Sequence, residues 1–104
     1  MTKLNRNLKA SNLLKQALAL LGPRGEYWIK FNFRTPNGKF CPIGALMEIS
    51  PNAHYTAQTY LEKAVAIKTN FCSIIRANDH HSTKFSQVES WFKYAIKLAK
   101  SDRN

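Results

Sequence analysis

The stretch EYWIKFNFRTPNGKFCPIGAL, residues 26–46, decides how the chain reads. Its first nine residues alternate. Tyr27, Ile29, Phe31 and Phe33 share one side, and Trp28, Lys30, Asn32 and Arg34 share the other, a period of two that predicts a strand over 26–34. Thr35-Pro36-Asn37-Gly38 follows. Proline presets the first turn position and Asn-Gly accepts positive φ, so a tight turn is expected. Lys39-Phe40-Cys41 then pairs back as a short second strand, completing a β-hairpin. Pro42 ends that strand and suits the first turn of a helix over 43–49.

On either side the period changes to that of helices. In residues 8–21, Leu14, Ala17, Leu18 and Leu21 step by three and four, widened by Ala10 and Leu13. Asn5 or Asn7 is the expected cap, and Gly22-Pro23 the stop. Ala57, Tyr60, Leu61, Ala64 and Val65 predict a helix over 57–68. Phe71–Arg76 reads as further helix or turn, and 77–82 as a polar break. Phe85, Val88, Phe92, Ala95 and Ala99 step 3, 4, 3, 4 through a final helix over 84–100. The predicted architecture is α+β, a mostly helical single domain over 1–104 with about four helices and one N-proximal β-hairpin. Leu18, Phe31, Leu61, Phe92 and Ala95 are central to their apolar stripes and are the expected core.

At 104 residues and 44% hydrophobic composition, one core without disulfides or metal is feasible. The sequence contains neither an apolar run of membrane-spanning length nor a signal-peptide pattern. A cytoplasmic protein is therefore expected, in the host cytoplasm if phage-encoded, with no membrane partner. Its two cysteines, Cys41 and Cys72, make no disulfide framework and read as reduced, buried thiols.

The formal net charge is +10, and it is uneven. Residues 1–39 carry eight basic side chains against Glu26 alone, 40–81 balance, and the basic excess returns after 82. Such a field attracts nucleic acid, an acidic protein surface or anionic lipid. Trp28, Lys30 and Arg34, aided by Arg24 and Lys39, form the expected contact surface. On an open strand face they would combine base stacking with phosphate contacts. Lys93, Lys97 and Lys100 make a second basic stripe on the last helix.

Catalytic signals are sparse. Cys41 precedes a helix start, where a dipole favours thiolate. His54, His80 and His81 are the available histidine partners, but the chain lacks the later strands that would present one. Cys41 reads more simply as core. The five Cys and His side chains show no metal-ligand spacing. No close carboxylate pair or phosphate-cradling glycine loop is present. The chain reads as a non-enzyme with no cofactor and no metal.

Trp28, Gly38, Cys41, Gly44, Ala45, Leu46, Asn78, Asp79 and Val88 follow a recognisable order. In these residues the chain resembles an uncharacterised family of small bacterial and phage proteins. That pattern runs from a leading helix through a Trp-containing strand and a Gly turn to Cys-x-x-Gly-Ala-Leu, then Asn-Asp and a Val-rich final helix. The resemblance spans roughly residues 10–99 and implies the fold. It transfers no catalytic residues, because the family carries no established activity. The strongly basic charge and His80-His81 depart from the pattern.

Together these features predict a small binding protein for a polyanionic partner, nucleic acid or a nucleoprotein complex. The alternative is a phage- or mobile-element-type accessory or inhibitor protein docking on an acidic host protein. A cysteine-dependent enzyme ranks below both.

Overall fold

The structure, a computed structural model, describes residues 9–104. Among the described residues five helices follow in order: α1 Ala10–Leu20, α2 Pro42–Ile49, α3 Tyr55–Lys68, α4 Ile74–Asp79 and α5 Phe85–Ser101. The 17-residue α5 packs against α1 and α3, and α1 also packs on α2. Val88, Trp91, Phe92, Ala95 and Ala99 of α5 are buried, as are Leu61, Ala64 and Val65 of α3 and Leu13, Leu14 and Ala17 of α1. The 3.6-residue stripes thus meet in one core. The expected cap of α1 by Asn5 or Asn7 falls outside the described residues. Its first backbone donors are instead satisfied by the chain's other end: Ala10 N–H donates to Asn104 Oδ1 at 3.2 Å and Ser11 N–H to the Asn104 carbonyl at 2.9 Å.

The expected β-hairpin is absent, so the domain is all-helical among the described residues. The turn at Thr35–Gly38 does form: the Gly38 N–H donates to the Thr35 carbonyl at 3.0 Å, and Gly38 has φ of 81°. What fails is the strand before it. Phe40 bridges to Trp28 in parallel sense and to Arg34 in antiparallel sense, with no ladder beyond these two isolated bridges. Opposite senses against one residue require the chain to reverse between 28 and 34. The reversal occurs around Phe31, which holds the left-handed φ of 70°. A non-glycine residue there costs about 1–3 kcal/mol. The offsetting contacts come from α4: Asp79 Oδ1 accepts from the Phe31 N–H at 2.8 Å, and Asn78 Nδ2 donates to the Ile29 carbonyl at 3.2 Å. The backbone groups a strand partner would have used are taken by side chains.

The core expectations change accordingly. Leu61, Phe92 and Ala95 are buried, but Phe31 is 74% exposed, Tyr27 and Phe33 are also exposed, and Leu18 is half-buried beside a surface groove. Trp28, assigned to the outer face, is half-buried instead and packs on Phe85 with ring centroids 5.9 Å apart. The polar break expected over 77–82 begins later, because Ala77, Asn78 and Asp79 complete α4. Ser73 caps that helix, its Oγ accepting from the Arg76 N–H at 3.2 Å. Cys72 is exposed, contrary to the expectation of two buried thiols.

Chemical denaturation should separate the aromatic positions. Phe92→Ala is expected to cost about 3–5 kcal/mol, and Phe31→Ala to stay within about 0.5 kcal/mol. Gly44→Ala should be disruptive despite its small size, because a β-carbon there would overlap the Phe33 carbonyl.

Candidate functional site

The loop over 28–34 lies across the start of α2 and the end of α4, leaving a cavity of about 240 Å³. Phe31 and Phe33 supply its aromatic walls, Ile74 and Ile75 of α4 its aliphatic side, and Cys41, Pro42, Asn32, Asn78 and Asp79 the remainder. A second cavity of about 180 Å³ lies on the other side of Phe33, bounded by Gly44 and Met47 of α2 and the Arg34–Glu48 ion pair.

Asn78 organises this region. It is 1% exposed. Its Oδ1 accepts from Trp28 Nε1–H at 2.6 Å, while its Nδ2 donates to the Ile29 carbonyl and to Asp79 Oδ1, both at 3.2 Å. The next carbonyl in line, that of His80, accepts from the Lys30 ammonium, which also lies 5.7 Å from the Trp28 ring centre. Trp28, Lys30, Asn78 and Asp79 are thus joined in one network. From sequence, Asn78 and Asp79 read as part of the polar break over 77–82. Nothing local in the sequence signals the contact, because Asn78 lies 50 residues from the Trp28 indole it accepts from.

Cys41 is the N-cap of α2, its Sγ accepting from the Gly44 N–H at 3.3 Å. It is 6% exposed. Burial pushes its thiol pKa up, opposed by the Gly44 and Ile43 amides and reinforced by the Asp79 charge. The helix-start effect that would favour thiolate is outweighed by desolvation. Of the candidate histidines, His54 is buried with Nδ1 3.2 Å from the Ser50 carbonyl, and His80 Nδ1 contacts Ser82. Among the described residues no cluster of three or more Cys, His, Asp and Glu side chains is gathered for a metal.

The predicted basic residues separate into two groups. In the first, Lys30 lies against Trp28 and the His80 carbonyl, Arg34 pairs with Glu48 at 3.0 Å, Arg24 is exposed in the bend after α1, and Lys39 is half-buried in the turn. Trp28, engaged by Asn78 and Phe85, is not an open stacking platform. In the second group, Lys93, Lys97 and Lys100 are exposed along α5. Lys93 lies 3.5 Å from Glu89. Lys15 of α1, not singled out from sequence, joins this group. A groove of about 380 Å³ runs between α1 and α5, lined by Lys15, Leu18, Ala19, Ile96 and Glu89. Lys100 of α5, as a hydrogen-bonding neighbour and a like charge, pushes the Lys15 pKa down.

No protein-family model, curated protein or solved structure matches the chain. Among the described residues no helix is long and apolar enough to cross a membrane.

Two measurements check this site. A thiol reagent at neutral pH should modify Cys72 rapidly in the native protein and reach Cys41 only on unfolding, as followed by mass spectrometry. Asn78→Ala removes partners from the Trp28 indole and the Ile29 carbonyl and should cost at least about 1–3 kcal/mol. Hydrogen exchange at the Phe31 amide should accelerate in that variant more than exchange in α5.

Proposed function

We propose that this chain is a small non-enzymatic binding protein that engages a polyanion, nucleic acid or a nucleoprotein, through the face shared by α1 and α5. The observation that carries this reading is the exposed row of Lys93, Lys97 and Lys100 along α5, beside a groove that Lys15 of α1 also lines. Lys100 disfavours the charged form of Lys15, and an anion bound beside both would offset that. Among the described residues Glu89 is the one acidic side chain lining the groove, and it pairs with Lys93. Phosphates spaced along a backbone suit a row of lysines on one helix face, and such contacts are independent of base sequence. Arg24, Lys30, Arg34 and Lys39 add to the net field. The Arg34–Glu48 pair and the Lys30–His80 contact make these two residues secondary contributors.

A second reading is docking on an acidic host protein, as a phage-type accessory factor would do. The exposed apolar side chains Phe31, Phe33, Met47 and Ile75 favour it, because grouped apolar exposure marks interaction surfaces. Pull-down with and without nuclease separates the two readings. A nucleic-acid-bridged partner is lost on nuclease treatment, and a directly docked protein is retained.

Fluorescence anisotropy with labelled duplexes of unrelated sequence, between 50 and 200 mM salt, tests the first reading. Affinity should fall steeply with salt and be shared among sequences, with a log–log slope of about −0.9 per phosphate contacted. Replacing Lys15, Lys97 and Lys100 with Gln should weaken binding to every duplex about equally and flatten that slope. The Lys15 ammonium should titrate higher in Lys100→Gln, since the neighbour that disfavours its charged form is gone. Duplex should shift it in the same direction. Unchanged affinity and slope in the triple variant would exclude this face.

A further inference from the structure

We propose that the paired cavities on either side of Phe33 bind an extended segment of a protein partner, with an arginine in the larger cavity and an aliphatic side chain in the smaller. This site lies apart from the lysine face and rests on different observations.

The size of the larger cavity comes first. At about 240 Å³ it lies below the roughly 300–1,000 Å³ of small-molecule sites and suits one side chain. Phe33 lines both cavities, so an occupant that fills them must carry two groups past one ridge. An extended chain does this, because side chains at i and i+2 leave the same face.

The chemistry then selects the group. Among the described residues Asp79 is the only charged side chain lining the larger cavity. Its Oδ1 is occupied by the Phe31 amide and the Asn78 carboxamide, while Oδ2 takes no hydrogen bond from the described residues. The walls beside it are aromatic. A guanidinium is planar, weakly hydrated and stacks on aromatic faces, and its N–H groups donate to a carboxylate. Arginine therefore matches both the walls and the free oxygen, whereas an acidic side chain would meet Asp79 in repulsion. The protein's net positive charge does not decide the matter, because exposed charges more than about 8 Å away are largely screened at physiological ionic strength. The smaller cavity presents Phe33, Met47 and the Gly44 backbone, with the Arg34–Glu48 pair at its rim already mutually neutralised. That surface suits an aliphatic side chain.

The backbone supports the same assignment. Phe31 is held in a left-handed conformation, is 74% exposed and lines the larger cavity. Burial of that ring does not account for the strain. It keeps an aromatic wall standing at the cavity's edge, where an incoming group would cover it.

The test is titration of the isotopically labelled protein, followed by amide and methyl NMR, with acetyl-Arg-Gly-Leu-amide and acetyl-Leu-Gly-Arg-amide. One of the two orders should shift Phe31, Phe33, Ile75, Asp79 and Met47 together. The citrulline counterpart, neutral but nearly isosteric, should bind at least fivefold more weakly. Ethylguanidinium alone should bind more weakly still and leave Met47 unmoved. Phe31→Gly suits the local φ and should fold at least as well as the parent, yet bind the peptide at least threefold more weakly. Asp79→Asn should abolish the preference for arginine over citrulline. Equal binding of the citrulline peptide, stronger binding of a glutamate counterpart, or shifts confined to the α1–α5 face would overturn the proposal. So would ethylguanidinium binding as tightly as the peptide, which would make this a small-molecule site. The outcome is independent of duplex binding, which the lysine variants report separately.

Discussion

One buried carboxamide holds the irregular part of this molecule in place. Residues 28–34 make only two isolated bridges and leave backbone groups that no neighbouring strand satisfies. Buried polar groups require partners, and here α4 supplies them. Asn78 receives the Trp28 indole and donates to the Ile29 carbonyl, while Asp79 receives the Phe31 amide. The shortest helix in the fold thereby positions the longest connection between helices. Trp28 is drawn inward onto Phe85, while Phe31 and Phe33 stay outward as cavity walls.

The start of α2 imposes the matching constraint from the other side. Gly44 lets the Phe33 carbonyl lie directly against the helix. Cys41 closes the first turn through its sulfur, and Pro42 occupies a position where a backbone donor is not needed. A thiol at a helix start invites a catalytic interpretation, but location is only one influence on thiol acidity. With the sulfur removed from water and a carboxylate nearby, the neutral thiol prevails, and Cys41 acts as a capping and packing group.

Two surfaces of contrasting chemistry result. Along α1 and α5 the core stripes face inward and leave lysines outward, Lys15 on one helix and Lys93, Lys97 and Lys100 on the other. Around Phe33 the exposed surface is aromatic and aliphatic, with one available carboxylate oxygen.

The helices were legible because their information is local. In α5, Val88, Phe92, Ala95 and Ala99 recur at the helical period, and any partner that covers them buries the same stripe. The turn at Thr35–Gly38 was equally legible, since Pro36 presets its own φ and Gly38 accepts the positive φ the turn requires. The alternation over 26–34 carried no such guarantee. A period of two defines faces only where a strand runs alongside, and Phe40 alone cannot provide one. The groups that reversed the chain at Phe31 lie about 50 residues later, in Asn78 and Asp79. The grouping of Lys15 with the lysines of α5 likewise depends on α1 packing beside α5. The sequence by itself determined α1, α2, α3 and α5, the turn and the excess of positive charge, because each follows from neighbours along the chain. Tertiary structure alone decided the path of residues 28–34, the cavities beside Phe33 and the grouping of the lysines, because those arise from hydrogen bonds and packing between residues distant in sequence.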